Sequence, residues 1–498
     1  MGNAVNLRYS SVRNWFRYHF LEKKLDTHFG YLFFSAVAAI FVCCIVLVDV
    51  IAAPIVLAVV GGVLLCIATM KSPYFGFYFL LVFSSITITI DRLVTLPLPS
   101  GNLAEILTYL VLFSVLTKYE LKKNIDGRFW TNPITVCLYI LFAYYIVELF
   151  NPEMFSPLGW FSFFRRQLSY FIFYYICYCL LNSRARVIYF VRFMIILTTV
   201  LALYACKQQW FGYARFELAW VGTGNGYTLL AQGGMLRKFS VFSDPSTSGI
   251  LFASVVILCV IFFFRSTNKK EKIWLAVAIF FNLLGYSYSG TRTATLMIVS
   301  GIVFYCIATI DERRTSRFML YSALVFAVLM LNPHQNAITN RIRSTFQGTK
   351  DASAAIRDYD RHQVQPYIQA HPMGGGIFTA GAEGNKYNQG HYLEYLQADS
   401  GYLKTLAEQG AIGFAFLLIF YFVVMRLGFH YFFRMNDPEI RTYYIGLLVM
   451  MFTLMVAQYS QMAISQYPVV LYFYAILVIF IKLADFDKPL QPEETIEI

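Results

Sequence analysis

The sequence predicts an all-α polytopic membrane protein with about 12–14 transmembrane helices and one large extracytoplasmic loop. Composition sets the class. Of 498 residues, 58% are hydrophobic and 18% aromatic, and only 14% are charged, where an ordinary soluble domain has about 25% charged. Runs near the roughly 20 apolar residues needed to cross a hydrocarbon core recur along almost the whole chain. One long polar segment, Asn332 to Gly410, interrupts them.

The apolar runs, in order, are 29–49, 51–70, 73–90, 103–117, 133–150, 167–182, 187–206, 249–265, 273–289, 293–310, 318–331, 411–429, 442–462 and 467–484. Each is expected to be helical, because a helix satisfies every backbone group within one segment in lipid. The first follows a basic stretch and is long enough to span, so it reads as a membrane helix and not as a cleavable signal peptide. Two excursions exceed a turn. Lys207–Ser248 contains the loop-forming GTGNG at 222–226 and the start of RKFSVFSDPSTSG at 237–249. The second excursion, 332–410, is predicted to hold a helix from Ala352 towards Ala370 that Pro366 kinks or stops, and Gly374, Gly375 and Gly376 then enforce a turn. The resulting division is a transmembrane bundle over 1–331 with an outer loop at 207–248, the extracytoplasmic loop 332–410, C-terminal helices over 411–484, and a loose tail over 485–498.

Basic residues in short connections are retained on the cytoplasmic side. With the N-terminus inside, the inner segments hold twenty-four lysines and arginines, and the short outer loops hold only Arg92, Arg165, Arg166 and Arg292. This puts both termini in the cytoplasm and the polar segment outside. The same asymmetry explains most of the formal charge of +12, so nucleic acid is not an expected partner. All nine cysteines lie in the apolar runs; they form neither a disulfide framework nor a metal spacing and read as packing residues.

Under this topology Arg237, Arg292 and Arg357 converge on the outer side from distant parts of the chain. Arg292, in SYSGTRTATLM, stands at a helix junction at the membrane surface beside Ser289, Gly290 and Thr291, which allow close approach of a ligand. An ionisable group at that depth needs a partner; the alternative role is a snorkelling helix anchor. Arg357 and Arg361 share a helix face at i, i+4, where like charges repel unless an anion relieves them, or unless Asp358 and Asp360 neutralise them locally. Guanidinium forks suit phosphate, so the cluster points to a lipid-linked phosphate or pyrophosphate. Proton-transfer candidates beside it are His362, His371, His391, Glu394 and Asp399. No HExxH or paired-Asp motif appears, which favours a reaction without metal or cofactor.

These residues resemble the O-antigen ligase and polysaccharide polymerase superfamily. DSGYLKTLAEQGAIG at 399–413 resembles its HNxYLxxLAExGxxG signature, HPMGGG at 371–376 its HPxxGxG turn, and GTRTA at 290–294 its membrane-edge SRxA motif. Arg357 stands fifteen residues before Pro372, where the family has its loop arginine. RKFSVFSDPSTSG is similar to the family segment that ends in a Pro-Asn or Pro-Ser pair. The resemblance spans roughly residues 235–430. It implies a GT-C-type glycosyltransferase fold acting on undecaprenyl-pyrophosphate-linked glycans in the bacterial inner membrane. Arg292 and Arg357 would bind the pyrophosphate, with Arg237 and Arg361 as further candidates. Where the ligase branch has a histidine as base this chain has Asp399, so a polymerase is expected, with His391 as the rival base.

The function expected is transfer of a glycan from the lipid pyrophosphate to a sugar hydroxyl of another lipid-linked repeat unit, without metal. The partners are the glycan donor, the lipid-linked acceptor, membrane lipids and a chain-length regulator. A ligase that moves finished polymer to a lipid A core or protein is the alternative in the same class. A polyprenyl-linked sugar transporter or flippase is the alternative of another class. It would carry ionisable groups deep in several helices, and here Glu148 and Arg192 are the notable ones.

Overall fold

The computed structural model describes residue 35 and residues 52–93, 100–118, 127–232, 235–331, 352–396 and 398–487. Residues 1–72 and 73–498 form two compact units. In the first, α1 spans Ala52–Lys71; the apolar run 29–49 lies outside the described residues apart from Ser35.

The second unit opens with the helices α2 (Pro73–Leu93), α3 (Ser100–Thr117), α4 (Pro133–Val147), α5 (Pro157–Leu180) and α6 (Arg184–Trp210). The excursion after α6 holds α7 (Arg215–Val221) and α8 (Gly224–Leu230), and α9 (Pro245–Arg265), α10 (Lys269–Ser289), α11 (Arg292–Ala308) and α12 (Arg313–Leu331) follow. The polar segment carries α13 (Ala352–Ala370) and α14 (Gly381–Tyr387). The chain then returns through α15 (Gly401–Arg434), α16 (Pro438–Ala457) and α17 (Val469–Lys482). Among the described residues eight helices are long and apolar enough to cross a membrane, and the only strands are a two-residue antiparallel ladder, Ala231–Gln232 with Met235–Leu236. The fold is that of an all-α polytopic membrane protein.

Three helices begin on the same local chemistry, an Asx residue followed by proline. Asn132, Asp244 and Asp437 each accept amide bonds from the first turn of α4, α9 and α16, and the proline fills N1, where its missing N–H leaves nothing unpaired. The middle of the bundle follows from burial. In both α9 and α17 83% of the apolar stretch is buried, in α16 78%, and in α15 only 28%; α15 is therefore peripheral.

Four expectations need correcting. α5 begins at Pro157, ten residues before the apolar run, so Arg165 and Arg166 are helical and not in a loop; Glu105 pairs with Arg165 at 3.2 Å and makes the polar turn tolerable. GTGNG is not a loop, because Thr223 caps α8 by accepting from Gly226 N. α13 is not stopped at Pro366: its last turn packs Val364, Tyr367 and Ile368 against Ala380, Leu393, Leu396 and Ala407, and apolar burial at about 25 cal/mol per Å² outweighs one forfeited backbone bond. The tail is not loose from its start, since Asp485 pairs with Arg128 at 2.8 Å and Asp487 accepts the amides of Asn436 and Asp437.

The element that positions the site is the break in α15. Gly410 adopts φ 65°, ψ −169° inside the helix, so the bonds from residues 411–413 back to the carbonyls of 407–409 cannot form. Each carbonyl finds a substitute. Gly375 N reaches Ala407 O at 2.9 Å, Gly376 N reaches Glu408 O at 2.8 Å, and the Tyr144 hydroxyl donates to Gln409 O at 2.6 Å. The HPMGGG turn fits because Gly374 and Gly376 take φ of 75° and 92°, while Asn151 donates to Met373 O at 3.2 Å and Gly374 O at 3.3 Å.

A Cβ at Gly410 would lie 2.0 Å from Pro372 O. Gly410→Ala is expected to cost more than the ~1–3 kcal/mol of backbone strain alone. Thermal unfolding in detergent should show a strongly lowered midpoint, and a midpoint equal to wild type would contradict the tight docking.

Candidate functional site

The connection after α16 gathers the predicted site residues. Gln458 O accepts from Gly401 N at 3.0 Å and Tyr402 N at 3.4 Å, which fixes the chain immediately after the exposed Asp399. The hydroxyl of Tyr459 accepts from Arg361 Nη1 at 2.7 Å, and the guanidinium lies 4.3 Å from the ring centroid. Ser460 Oγ and Thr293 Oγ1 are 2.7 Å apart, which holds the first turn of α11 at the residue after Arg292. Three consecutive residues thus tether the segments that carry Asp399, Arg361 and Arg292. Arg357 lies one helical turn before Arg361 on α13; its side chain lies outside the described residues.

Arg237 holds the junction from the other side. Its Nε donates to Ser289 O at 2.9 Å and its Nη2 to Thr291 Oγ1 at 3.1 Å. Thr291 in turn donates to Pro245 O at 2.8 Å. The reversal between α10 and α11 needs the left-handed conformation of Gly290, φ 59°. Gly249 of α9 leaves it room, since a Cβ there would meet Ser289 Oγ at 2.5 Å. RKFSVFSDPSTSG therefore supports the turn 289–291 that precedes Arg292. It is closed by Asp244, whose carboxylate accepts from Ser246 N, Thr247 N and the Ser243 and Thr247 hydroxyls. Thr247 Oγ1 also lies within hydrogen-bonding reach of the Gln466 side chain.

The structure separates the other proton-transfer candidates by environment. His391 is 2% exposed, packs edge-on to Phe155 with ring centroids 5.2 Å apart, and would collide with any Cβ at Gly375. Its Nδ1 accepts from Leu393 N at 3.0 Å, so the ring proton sits on Nε2, 3.5 Å from the Tyr367 hydroxyl. Burial lowers its pKa, Glu153 raises it only in part, and His371 adds to the lowering. His371 donates from Nδ1 to Tyr367 O at 3.0 Å and faces Glu153 at 3.7 Å. His362 donates to Asp358 O at 2.7 Å, and Glu394 closes its turn by accepting from Gly390 N at 2.7 Å. Asp358 lies 3.6 Å from Arg361 with 68% of its side chain exposed, a pair of little strength in water.

Sequence reading missed Gln458, Tyr459, Ser460 and Gln466, because a search for charge and histidine passes over neutral polar residues. The available signal was their density: QYSQMAISQ at 458–466 separates two apolar stretches. Such a stretch at a helix end has backbone and side chains to bond with something other than lipid.

Residues 277–418 match the family model described as O-Antigen ligase. The matched stretch contains Arg292, Arg357, Arg361, His391 and Asp399, ends within α15, and bears out the resemblance to the O-antigen ligase and polymerase superfamily. With the membrane-crossing helices it indicates a multi-pass inner-membrane protein of surface polysaccharide assembly. No curated protein matches the chain.

The environment of His391 has a measurable consequence. Its folded pKa lies below the unfolded value of about 6.5, so the stability it contributes is present above that pH and is lost as pH falls below it, where the unfolded chain binds the extra proton. His391→Gln should flatten the decline of the melting temperature between about pH 7.5 and 5.5. An unchanged slope would place the pH sensitivity elsewhere.

Proposed function

We propose that the protein is a polysaccharide polymerase, which transfers a glycan from undecaprenyl pyrophosphate to a sugar hydroxyl of a second lipid-linked repeat unit on the outer side of the cytoplasmic membrane. The observation that carries this is the Gln458–Ser460 connection, which ties the segments of Arg292, Arg361 and Asp399 together at one end of the bundle. The excess of basic residues in the opposite connections favours that end as the outer one.

The acceptor oxygen attacks the anomeric carbon of the donor, and the bond from that carbon to the pyrophosphate oxygen breaks. The electron pair of that bond leaves with the diphosphate. Arg292, Arg357 and Arg361 hold the diphosphate and stabilise the charge that grows on it, the kind of preorganised electrostatic help that dominates many enzyme rates. Arg237, with two nitrogens committed to residues 289–291, fixes the turn that presents Arg292. Asp399 receives the acceptor's proton. It is exposed, whereas the buried His391 already uses Nδ1 as an acceptor for Leu393 N. A single displacement of this kind inverts the anomeric centre.

Asp399→Asn is expected to lower turnover by about 10²–10⁴-fold while donor binding survives, and Arg292→Ala and Arg361→Ala to weaken donor binding as well. Polymer length and yield on gels, with folded protein verified in the membrane, read both. Full-length polymer from Arg292→Ala with Arg361→Ala would defeat the diphosphate assignment. Deletion should leave single repeat units on the lipid carrier. Unaltered chain length on the carrier would identify a ligase instead.

A further inference from the structure

A second guanidinium faces the same end of the bundle and is not used above. Arg165 is committed to Glu105 at 3.2 Å and Asn102 at 3.1 Å. Arg166, half-buried on the inward side of α5, takes part in no hydrogen bond or ion pair among the described residues; its guanidinium lies 5.5 Å from the centroid of Phe378. The wall around it is built. Gly159 of α5 leaves room for Tyr387, since a Cβ there would lie 3.1 Å from Tyr387 Cβ, Tyr387 donates to Ser162 Oγ at 3.4 Å, and Asn388 accepts from Phe155 N and Ser156 N.

The acids of this corner are already matched. Lys404 Nζ is 3.1 Å from Glu383 and 3.8 Å from Glu408 and also lies against Phe378, at 5.6 Å. Burial pushes the Glu383 carboxyl up, but Lys404 foremost and Arg166 with it hold it below the ordinary carboxylate range. Glu105 is bonded to Arg165, and Glu383 and Glu408 to Lys404; Arg166 acts on Glu383 and Glu105 only through space, so the donors of its fork are left to meet a ligand. A guanidinium over an aromatic ring offers paired donors to an oxyanion, and the half-buried ring of Tyr387 stacked on Phe378 stands beside it.

Position supplies the role. Lys404 stands one turn beyond Gly401, the residue bonded to Gln458 O at 3.0 Å, so about 5 Å of helix separates the two corners. A polymerase brings together two lipid-linked units and therefore two anionic head groups. We propose that Arg166 anchors a second oxyanion subsite, which receives the acceptor beside the diphosphate of the donor; this rests on the polymerase reading. The oxyanion is the acceptor's own pyrophosphate or the carboxylate of an acidic sugar in it.

Native mass spectrometry of the full chain with farnesyl pyrophosphate tests this by counting ligands. Wild type should bind two, Arg166→Gln one, and Arg166→Gln with Arg361→Ala none. Glucuronate is the second probe: if Arg166→Gln abolishes glucuronate binding and leaves the farnesyl pyrophosphate count unchanged, the subsite stands with a sugar carboxylate as its ligand. If Arg166→Gln changes the binding of neither probe, the inference is overturned. If Arg166→Gln removes one ligand while Arg361→Ala removes none, the donor assignment fails and this one survives. Melting temperatures verify folding, and should Arg166→Gln not fold, Arg166→Lys, which keeps the charge and loses the fork, is counted in the same way.

Discussion

The arrangement depends on one broken helix. In a bilayer an unpaired carbonyl costs several kcal/mol, so a helix can be interrupted near the membrane only where the freed groups are taken up elsewhere. At Gly410 three carbonyls are released, and Gly375, Gly376 and Tyr144 take them. This settles two matters together. The arm before the break is turned so that residues 400–402 dock on Gln458, and the glycine turn ending α13 is locked to the same point, so the helix that carries Arg357 and Arg361 has a fixed base. Glu148 and Asn151 at the end of α4 complete the joint: Asn151 Nδ2 bonds Glu148 Oε2 at 3.0 Å and the carbonyls of Met373 and Gly374.

Beyond the joint, the groups that place charged residues are mostly neutral. Gln458 O, the Tyr459 hydroxyl and Ser460 Oγ hold their segments through dipoles. On the proposed function the site receives an anion, and such a site gains from this: the supporting shell fixes geometry without cancelling the positive field that would draw the ligand in.

Much of the fold was legible in the sequence, because lipid imposes a length and an apolar composition that a run such as 249–265 displays directly. Helix ends were less so. α5 extends ten residues beyond its apolar run because Glu105, far away in the chain, neutralises Arg165, and α13 outlasts Pro366 because of packing against residues 380–407 that proline chemistry does not report. Within the site, charge, glycine and proline marked Arg292, Arg361, the HPMGGG turn and Asp399. The tether at 458–460 was hidden, since glutamine, tyrosine and serine acquire meaning only when their partners are known. Arg166 was hidden in another way: it was visible as a basic residue, but its helical setting was not.

The two ends of the bundle treat arginine differently. At one end guanidinium groups meet carboxylates: Arg184 with Asp437 at 2.6 Å and also with Glu439, Arg265 and Arg441 with Glu312 at 2.8 and 3.3 Å, and Arg128 with Asp485. At the other end they meet rings and carbonyls. Arg92 lies 3.9 Å from the Trp220 ring and donates to Ser243 O at 2.9 Å, Arg237 donates to Ser289 O, Arg361 covers Tyr459 and Arg166 faces Phe378. A π face or a carbonyl dipole stabilises a guanidinium without removing its charge, whereas a carboxylate at 2.8 Å neutralises it. Arg165, Lys404 and, more weakly, Arg361 with Asp358 at 3.6 Å are the exceptions at the second end, and Arg166 makes no ion pair among the described residues. Ion-paired arginines predominate at the first end, where Arg186 over the Tyr74 ring is an exception; arginines on rings and carbonyls predominate at the end where, on the proposed function, an anionic lipid head group would arrive. That contrast comes from pairing alone and is independent of the motifs that suggested the family.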